Sequence, residues 1–220
     1  MPSTPTLLLT GFEPFDGDHA NPAQAIVQAL DGEVIHGHVV RGAVLPVVFD
    51  GTPRRIADLL ATHRPAIALG LGQAGGRSAL SLERVAINLV DARIPDNAGA
   101  QPFDHAVIAG AAPACFTTLP VKAMAAAIVR CGVPAELSLT AGSFVCNQVF
   151  YALAHHAGAD SGGAGTRVGF MHLPWLPEQA AQRPGAPSMA LATMLTGVRE
   201  ALACAIAIRH DLAVAGGATH

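Results

Sequence analysis

Residues 6–30 read TLLLTGFEPFDGDHANPAQAIVQAL. Thr6 to Thr10 is a short apolar run that stops at Gly11, the pattern of a buried strand. Gly11 to Pro22 is rich in Gly, Pro, Asp and Asn and reads as a loop. Pro22 stands where a helix can begin, with Asn21 as its N-cap and Ala25, Ile26, Ala29 and Leu30 as an apolar stripe. Strand, loop and amphipathic helix form the repeating unit of an α/β fold, and the order recurs. Val34 to Val48 is rich in Val and contains Gly37 and Gly42, consistent with strands and a turn or bulge. Thr52 to His63 reads as a helix and Ala66 to Leu71 as a buried strand. Lys122 to Arg130 is helical, Ala135 to Leu139 a strand, Val145 to His156 a helix and Arg167 to Leu173 a strand. Ser188 to His210 is a long amphipathic helix. Strands alternating with helices predict an α/β sandwich with a largely parallel or mixed sheet.

Three stretches do not fit one pattern. Arg77 to Val90 accepts two periods: Glu83, Val85, Ile87 and Leu89 share a strand face, or Leu82, Val85, Ala86 and Leu89 share a helical stripe. Residues 91–116 hold several Pro and Gly and read as a long ordered loop, a feature that suggests function. Ala157 to Thr166 reads as a loop with no bearing on chemistry.

A chain of 220 residues and 22.4 kDa suits one domain, residues 1–220, with 212–220 as a frayed Gly- and Ala-containing tail. A hydrophobic fraction of 51% against 13% charged residues excludes intrinsic disorder. A net charge of −3 offers no basic surface to nucleic acid. No run approaches the roughly 18 apolar residues of a membrane span, and Met1 to Thr10 lacks the features of a secretory signal. The cysteines are Cys115, Cys131, Cys146 and Cys204, without a Cys-x-x-Cys pair, which argues against structural zinc and a disulfide framework. The expectation is a cytoplasmic protein with reduced thiols. The low charge fits a surface partly covered by another subunit.

Gly70-Leu71-Gly72-Gln73-Ala74-Gly75 matches the dinucleotide pattern G-x-G-x-x-G after a strand, with Asp91 about 20 residues on, where a ribose-binding acid would stand. It is not in the first strand–helix unit, and the segment after it does not read as a helix. A tight loop at a strand end is the competing reading.

Cys146 follows Ala141-Gly142-Ser143-Phe144-Val145 and opens a helix. Unpaired N–H groups and the dipole there favour thiolate and can hold an oxyanion. Most free cysteines are buried and inert, and Cys131 and Cys204 fit that description, with Cys115 less certain. A nucleophilic thiol needs a base. His172 ends the apolar strand Val168 to Met171, where α/β folds gather catalytic groups. Glu83 on an apolar strand face is costly unless paired. It either orients His172 or forms a structural ion pair, for example with Arg84 or Arg93.

At these residues the chain resembles the pyroglutamyl peptidase I family of cysteine peptidases. Leu9 to Phe15, Glu83 to Asn88 with Asp91 to Asn97, Ser143 to Asn147, and His172 to Gln179 carry the resemblance, which runs from about Thr6 to about Arg209. It implies a three-layer α/β/α sandwich around a mixed, largely parallel sheet, and a homotetramer without cofactor or metal. It also implies removal of N-terminal pyroglutamate from peptides by Glu83, Cys146 and His172 through a thioester. The implied pocket falls on Phe12, Phe15 and Phe144, with Asn21 and Gln73 nearby, and Arg93 matches the family's active-site arginine. Pyroglutamate is a neutral lactam, so apolar walls and a few hydrogen-bonding groups suit it. Asp16 stands where the family more often has Gly.

Overall fold

The computed structural model describes residues 4–159 and 165–217. Its strands are β1 (Thr6–Phe12), β2 (Val34–Ile35), β3 (His38–Leu45), β4 (Ile67–Gln73), β5 (Leu80–Glu83), β6 (Val85–Ile87), β7 (Ala114–Phe116), β8 (Ala135–Ser138) and β9 (Arg167–Leu173). Its helices are α1 (Pro22–Leu30), α2 (Thr52–His63), α3 (Val121–Arg130), α4 (Val145–Ala159), α5 (Pro177–Ala180) and α6 (Leu191–Ala207). Seven strands form one sheet in the order β2-β3-β1-β4-β9-β5-β8, and β6 and β7 pair separately. The β3-β1-β4-β9 pairings and β5-β8 are parallel, whereas β2-β3 and β9-β5 are antiparallel. The sheet is therefore mixed and largely parallel.

Both faces of the sheet are covered, which is why its strands read as continuous apolar runs. Leu7 and Leu9 point to one core, shared with α1, α3 and α6. Leu8 and Phe12 point to the other, shared with α2 and α4. Burying a leucine contributes roughly 1.5–3 kcal/mol, and Leu7, Leu8 and Leu9 are all fully enclosed.

Asn21 caps α1: its Oδ1 accepts from Ala23 N–H at 2.9 Å, and its Nδ2 donates to Glu13 O at 3.0 Å. The cap turns the helix so that Ala23, Ile26, Val27 and Leu30 are buried. The expected stripe is corrected by this rotation, since Ala25 is half-buried and Ala29 exposed. The β2–β3 turn falls at His36 and Gly37, both with positive φ. Gly42 lies inside β3, where Val27 packs against it.

The ambiguous stretch resolves into two strands in two sheets. β5 pairs with β9 and β8, and β6 pairs with β7. Glu83 therefore does not share a strand with Val85, Ile87 and Leu89, and that expectation is corrected. Leu80 and Leu82 belong to the α6-side core, which turns Ser81 and Glu83 to the α4 side.

The long stretch 91–116 ends in β7 and is held by several side chains, among them Asn88, which hydrogen-bonds Ile108, and Asp96. Asp96 accepts from the N–H groups of Phe49, Ala98 and Ala100 at 2.8–2.9 Å. Of 157–166, the first three residues belong to α4, and residues 160–164 lie outside the described residues. Asp211 accepts from Lys122 N–H and Ala123 N–H at the start of α3, and Lys122 Nζ donates to Val214 O. The stretch 212–220, expected to fray, thus includes Val214, which is tied to α3, while 218–220 lie outside the described residues.

From β1 the chain passes through α1 and β2 to β3 on one side, and from β3 through α2 to β4 on the other side of β1, with the two helices on opposite faces. The crevice at the carboxyl ends of β1 and β4 is therefore the topological switch point, where open α/β sheets bind ligands. Their pairing stops at Thr10 opposite Gly70, while β1 continues to Phe12 and β4 to Gln73.

Asn147, fully buried, fastens α4 to β6. Its Oδ1 accepts from Ile87 N–H at 3.0 Å, and its Nδ2 donates to Ile87 O and Leu89 O at 2.9 and 3.0 Å. Replacing Asn147 with Leu strands these backbone groups. The expected loss is about 2–4 kcal/mol, read as a fall in the thermal unfolding midpoint. An unchanged midpoint would contradict the role given to this amide.

Candidate active site

Gly72 of β4, His172 of β9, Ser81 of β5 and Glu136 of β8 are register partners in one row across four strands. Partners in a row share a face. A Cβ built on Gly72 would stand 2.7 Å from Cys146 Sγ, so the thiol lies against the sheet beside the His172 position. In the row behind, Glu83 stands opposite Phe170. His172 Nδ1–H donates to Glu83 Oε1 at 2.7 Å, and the acceptor-only carboxylate fixes this tautomer. The Phe170 ring meets the imidazole edge-on at 5.1 Å. Glu83 and His172 are both buried.

Glu83 Oε1 also accepts from Arg77 Nη1 at 2.8 Å. Neither Arg84 nor Arg93, the ion-pair partners expected for Glu83, takes this place; Arg77 does. Arg93 is exposed, and no hydrogen bond or ion pair joins its side chain to Glu83, His172 or Cys146. Its loop is fixed to the approach to α4 instead, where Ser143 Oγ donates to Asp91 O at 2.7 Å. Arg77 follows the glycine motif by two residues, a placement that sequence spacing does not connect to Glu83.

The glycines of that motif make room for protein atoms. A Cβ at Gly70 would stand 2.5 Å from the Phe170 ring, and one at Gly75 would stand 2.1 Å from the Trp175 ring. The segment after them turns into β5 rather than opening a helix. Both facts remove the dinucleotide reading.

Phe12, Phe15 and Phe144, with Val47 and Val145, wall a cleft that reaches Cys146; Asn21 and Gln73 complete its lining. The Phe15 and Phe144 rings lie 6.3 Å apart, and Phe49 backs Phe144 edge-on at 5.0 Å. Val47 and Phe49 were not singled out from the sequence; their signal is a position just beyond a strand's carboxyl end. Asn21 spends its amide on the α1 cap described above. Gln73 Oε1 accepts from Gln179 Nε2 at 2.8 Å, and Gln73 Nε2 donates to Asp18 Oδ2 at 3.3 Å. Arg183 Nη2 pairs with Asp18 Oδ1 at 2.7 Å, which ties the loop carrying Phe15 to the segment after His172. Asp16 on that loop has φ of 55°, the left-handed region that favours glycine and that Asp tolerates.

A model of the pyroglutamyl peptidase family matches residues 6–208. The chain belongs to that family. It is 51% identical to a pyrrolidone-carboxylate peptidase of Cupriavidus taiwanensis, over 98% of this chain and 100% of the relative. It is 46% identical to one of Erwinia tasmaniensis, over 97% and 99%. The crystal structure of Bacillus amyloliquefaciens pyroglutamyl peptidase I superposes with a TM-score of 0.89 at 38% identity, covering 94% of this chain and all of that one. A mutant pyrrolidone carboxyl peptidase from Pyrococcus furiosus superposes with a TM-score of 0.88 at 39% identity, covering 92% and 98%.

The electrostatics of the family site differ from the expectation of a stable thiolate. Burial pushes the Cys146 thiol up to about 12, and the charge of Glu83 adds to this. Arg77 and the residue's own N–H pull the other way and do not offset it. A helix terminus contributes about 0.3–1 kcal/mol at exposed sites, too little to overcome enclosure. Burial also lowers His172 below 6.5, outweighing its hydrogen bond to Glu83 and the charge of that carboxylate. Burial thus favours the neutral form of both the thiol and the imidazole.

Two outcomes follow from these shifts. Alkylation of Cys146 by iodoacetamide without substrate rises through the alkaline range; a plateau between about pH 5 and pH 8 would signal a thiolate–imidazolium pair instead. Gly72→Ala drives a methyl into the space of Cys146 Sγ and the Phe170 ring. It is expected to lower kcat/KM about 100-fold, with folding checked by circular dichroism; a twofold change would mean the thiol is not seated there.

Proposed function

We propose that the chain is a cysteine omega-peptidase that hydrolyses the bond after an N-terminal pyroglutamyl residue. The observation that carries this reading is the cleft: three phenylalanines and two valines lead to one thiol, beside a histidine bonded to a buried carboxylate. A lactam ring has no ammonium, and this cleft offers no carboxylate to receive one. The similarity to proteins named pyrrolidone-carboxylate peptidase supports the same substrate.

Nδ1 of His172 is committed to Glu83, which leaves Nε2 for the thiol. As Cys146 Sγ bonds to the pyroglutamyl carbonyl carbon, its proton passes to Nε2. Glu83 stabilises the imidazolium. The carbonyl oxygen becomes an oxyanion, held by N–H groups of the first turn of α4 that have no intrahelical partner. Collapse breaks the C–N bond, and the Nε2 proton leaves with the amine. Water then attacks the thioester, giving its proton to Nε2, and the second collapse returns that proton to sulfur with release of pyroglutamate. No metal or cofactor enters these steps. Arg93, exposed, is left out of them.

Four free cysteines suit a reducing cytoplasm. No helix among the described residues is long and apolar enough to cross a membrane. Phe103 and Phe116, exposed at 70% and 68%, are apolar surface that a homotetramer would cover.

Under reducing conditions the protein is expected to release a fluorogenic amine from a pyroglutamyl conjugate and not from the prolyl conjugate. A chelator leaves the rate unchanged, and Cys146→Ser abolishes it. Full activity in the serine variant would remove Cys146 as nucleophile, and absence of release from the parent protein would defeat the peptidase reading.

A further inference from the structure

Arg77 takes no part in the steps above, yet its guanidinium joins three elements of the site. It sits on the turn between β4 and β5. Its Nη1 donates to Glu83 Oε1 at 2.8 Å, and its Nη2 donates to Thr140 O at 3.3 Å, on the segment that leads into α4 and Cys146. We propose that Arg77 is a positioning residue for the reaction: by gripping Glu83 Oε1 beside His172, it fixes the carboxylate that holds the imidazole as base for the Cys146 thiol. The proposal rests on the reading of Cys146, His172 and Glu83 as the reacting set.

The geometry supports it in two ways. Glu83 Oε2 is buried and has no hydrogen-bond partner, so Oε1 alone anchors the carboxylate. Among the described residues, His172 would be the sole side-chain donor to Glu83 without Arg77, and His172 is the group that Glu83 has to orient. Carboxylate and ring could then turn together. Moreover, a fully enclosed carboxylate is costly without a cation. Arg77 supplies that cation from a side chain with 25% exposure, so its desolvation is partial.

The charged and titratable groups facing His172 are Glu83 from β5, Arg77 from the turn and Cys146 from α4. One strand further along the row, Ser81 Oγ donates to Glu136 Oε1 at 2.6 Å. Of these, Arg77 is the cation. Its charge opposes protonation of His172 and favours ionisation of Cys146. Removing it therefore eases formation of imidazolium in the free enzyme. The acid limb of kcat/KM then moves to higher pH. A residue that only braced the turn would alter stability and leave that limb in place.

The test compares parent, Arg77→Met and Arg77→Lys on a pyroglutamyl arylamide across pH. Arg77→Met is expected to lose about 10- to 100-fold in kcat, the range seen for outer-shell partners that orient metal ligands, with KM little changed and the acid limb displaced upward. Arg77→Lys keeps the charge without the fork, so its limb stays with the parent and part of kcat returns. Arg77→Gln carries the same reading as Met if the Met variant does not fold. An uncharged variant with the parent's kcat and acid limb overturns the proposal. So does an equal loss in the Lys and Met variants with the limb unmoved. If the parent itself releases no arylamine, the functional reading fails separately. Alkylation of Cys146 by iodoacetamide at fixed pH then decides: slower in Arg77→Met than in the parent supports the coupling, and equal rates overturn it.

Discussion

The carboxylate of Glu83 has no solvent exposure, and a buried anion must find its donors inside the protein. It finds two on one oxygen, His172 Nδ1–H and Arg77 Nη1. Each arrives from a different element, so both elements must be in register. A one-residue slip of β5 against β9 would turn Glu83 toward the leucine-lined core of α6 and bring Leu82 to the histidine. The antiparallel pairing of Leu82 with Met171 and of Glu83 with Phe170 is thus a requirement of the site as well as of the fold.

Space around that pair is arranged by residues without chemistry of their own. Gly70 and Gly72 remove side chains where the Phe170 ring and Cys146 Sγ lie. Phe170 then fills the gap between α4 and the sheet and meets the imidazole edge-on. Asn147, next to the thiol, is spent on the backbone of β6 and its continuation. The start of α4 is thereby fastened to the separate β6–β7 pair just after Cys146. Enclosure has an electrostatic consequence: it favours the neutral forms of thiol and imidazole.

Much of this was legible in the chain. Uninterrupted apolar runs such as Leu7 to Leu9 mark strands covered on both faces, and Asn21-Pro22 marks a helix start, because these signals depend on neighbours in sequence. The positions of Glu83, Cys146 and His172 drew attention for local reasons: an acid among apolar residues, a thiol at a helix start, an imidazole at a strand end. Other features were misread for equally physical reasons. The G-x-G-x-x-G pattern is local, but what fills the space above each glycine is not. The two-residue period through Glu83 to Leu89 continues across Arg84, although the chain changes sheets there. Arg84 and Arg93 are the partners that the sequence suggests for Glu83, since nothing in the spacing tells which arginine a folded loop returns to a given carboxylate.

The sequence by itself determined the alternation of strands and helices, the apolar character of both sheet faces, and the residue types available for thiol chemistry. These follow from periodicity and side-chain identity over a few residues. Only the tertiary structure decided that Phe12, Phe15 and Phe144 share one cleft with Cys146, that Arg77 grips Glu83, and that enclosure raises the thiol pKa. Those outcomes depend on which distant segments meet and how far they exclude water, and both are properties of the packed sheet and its helices rather than of any local stretch of chain.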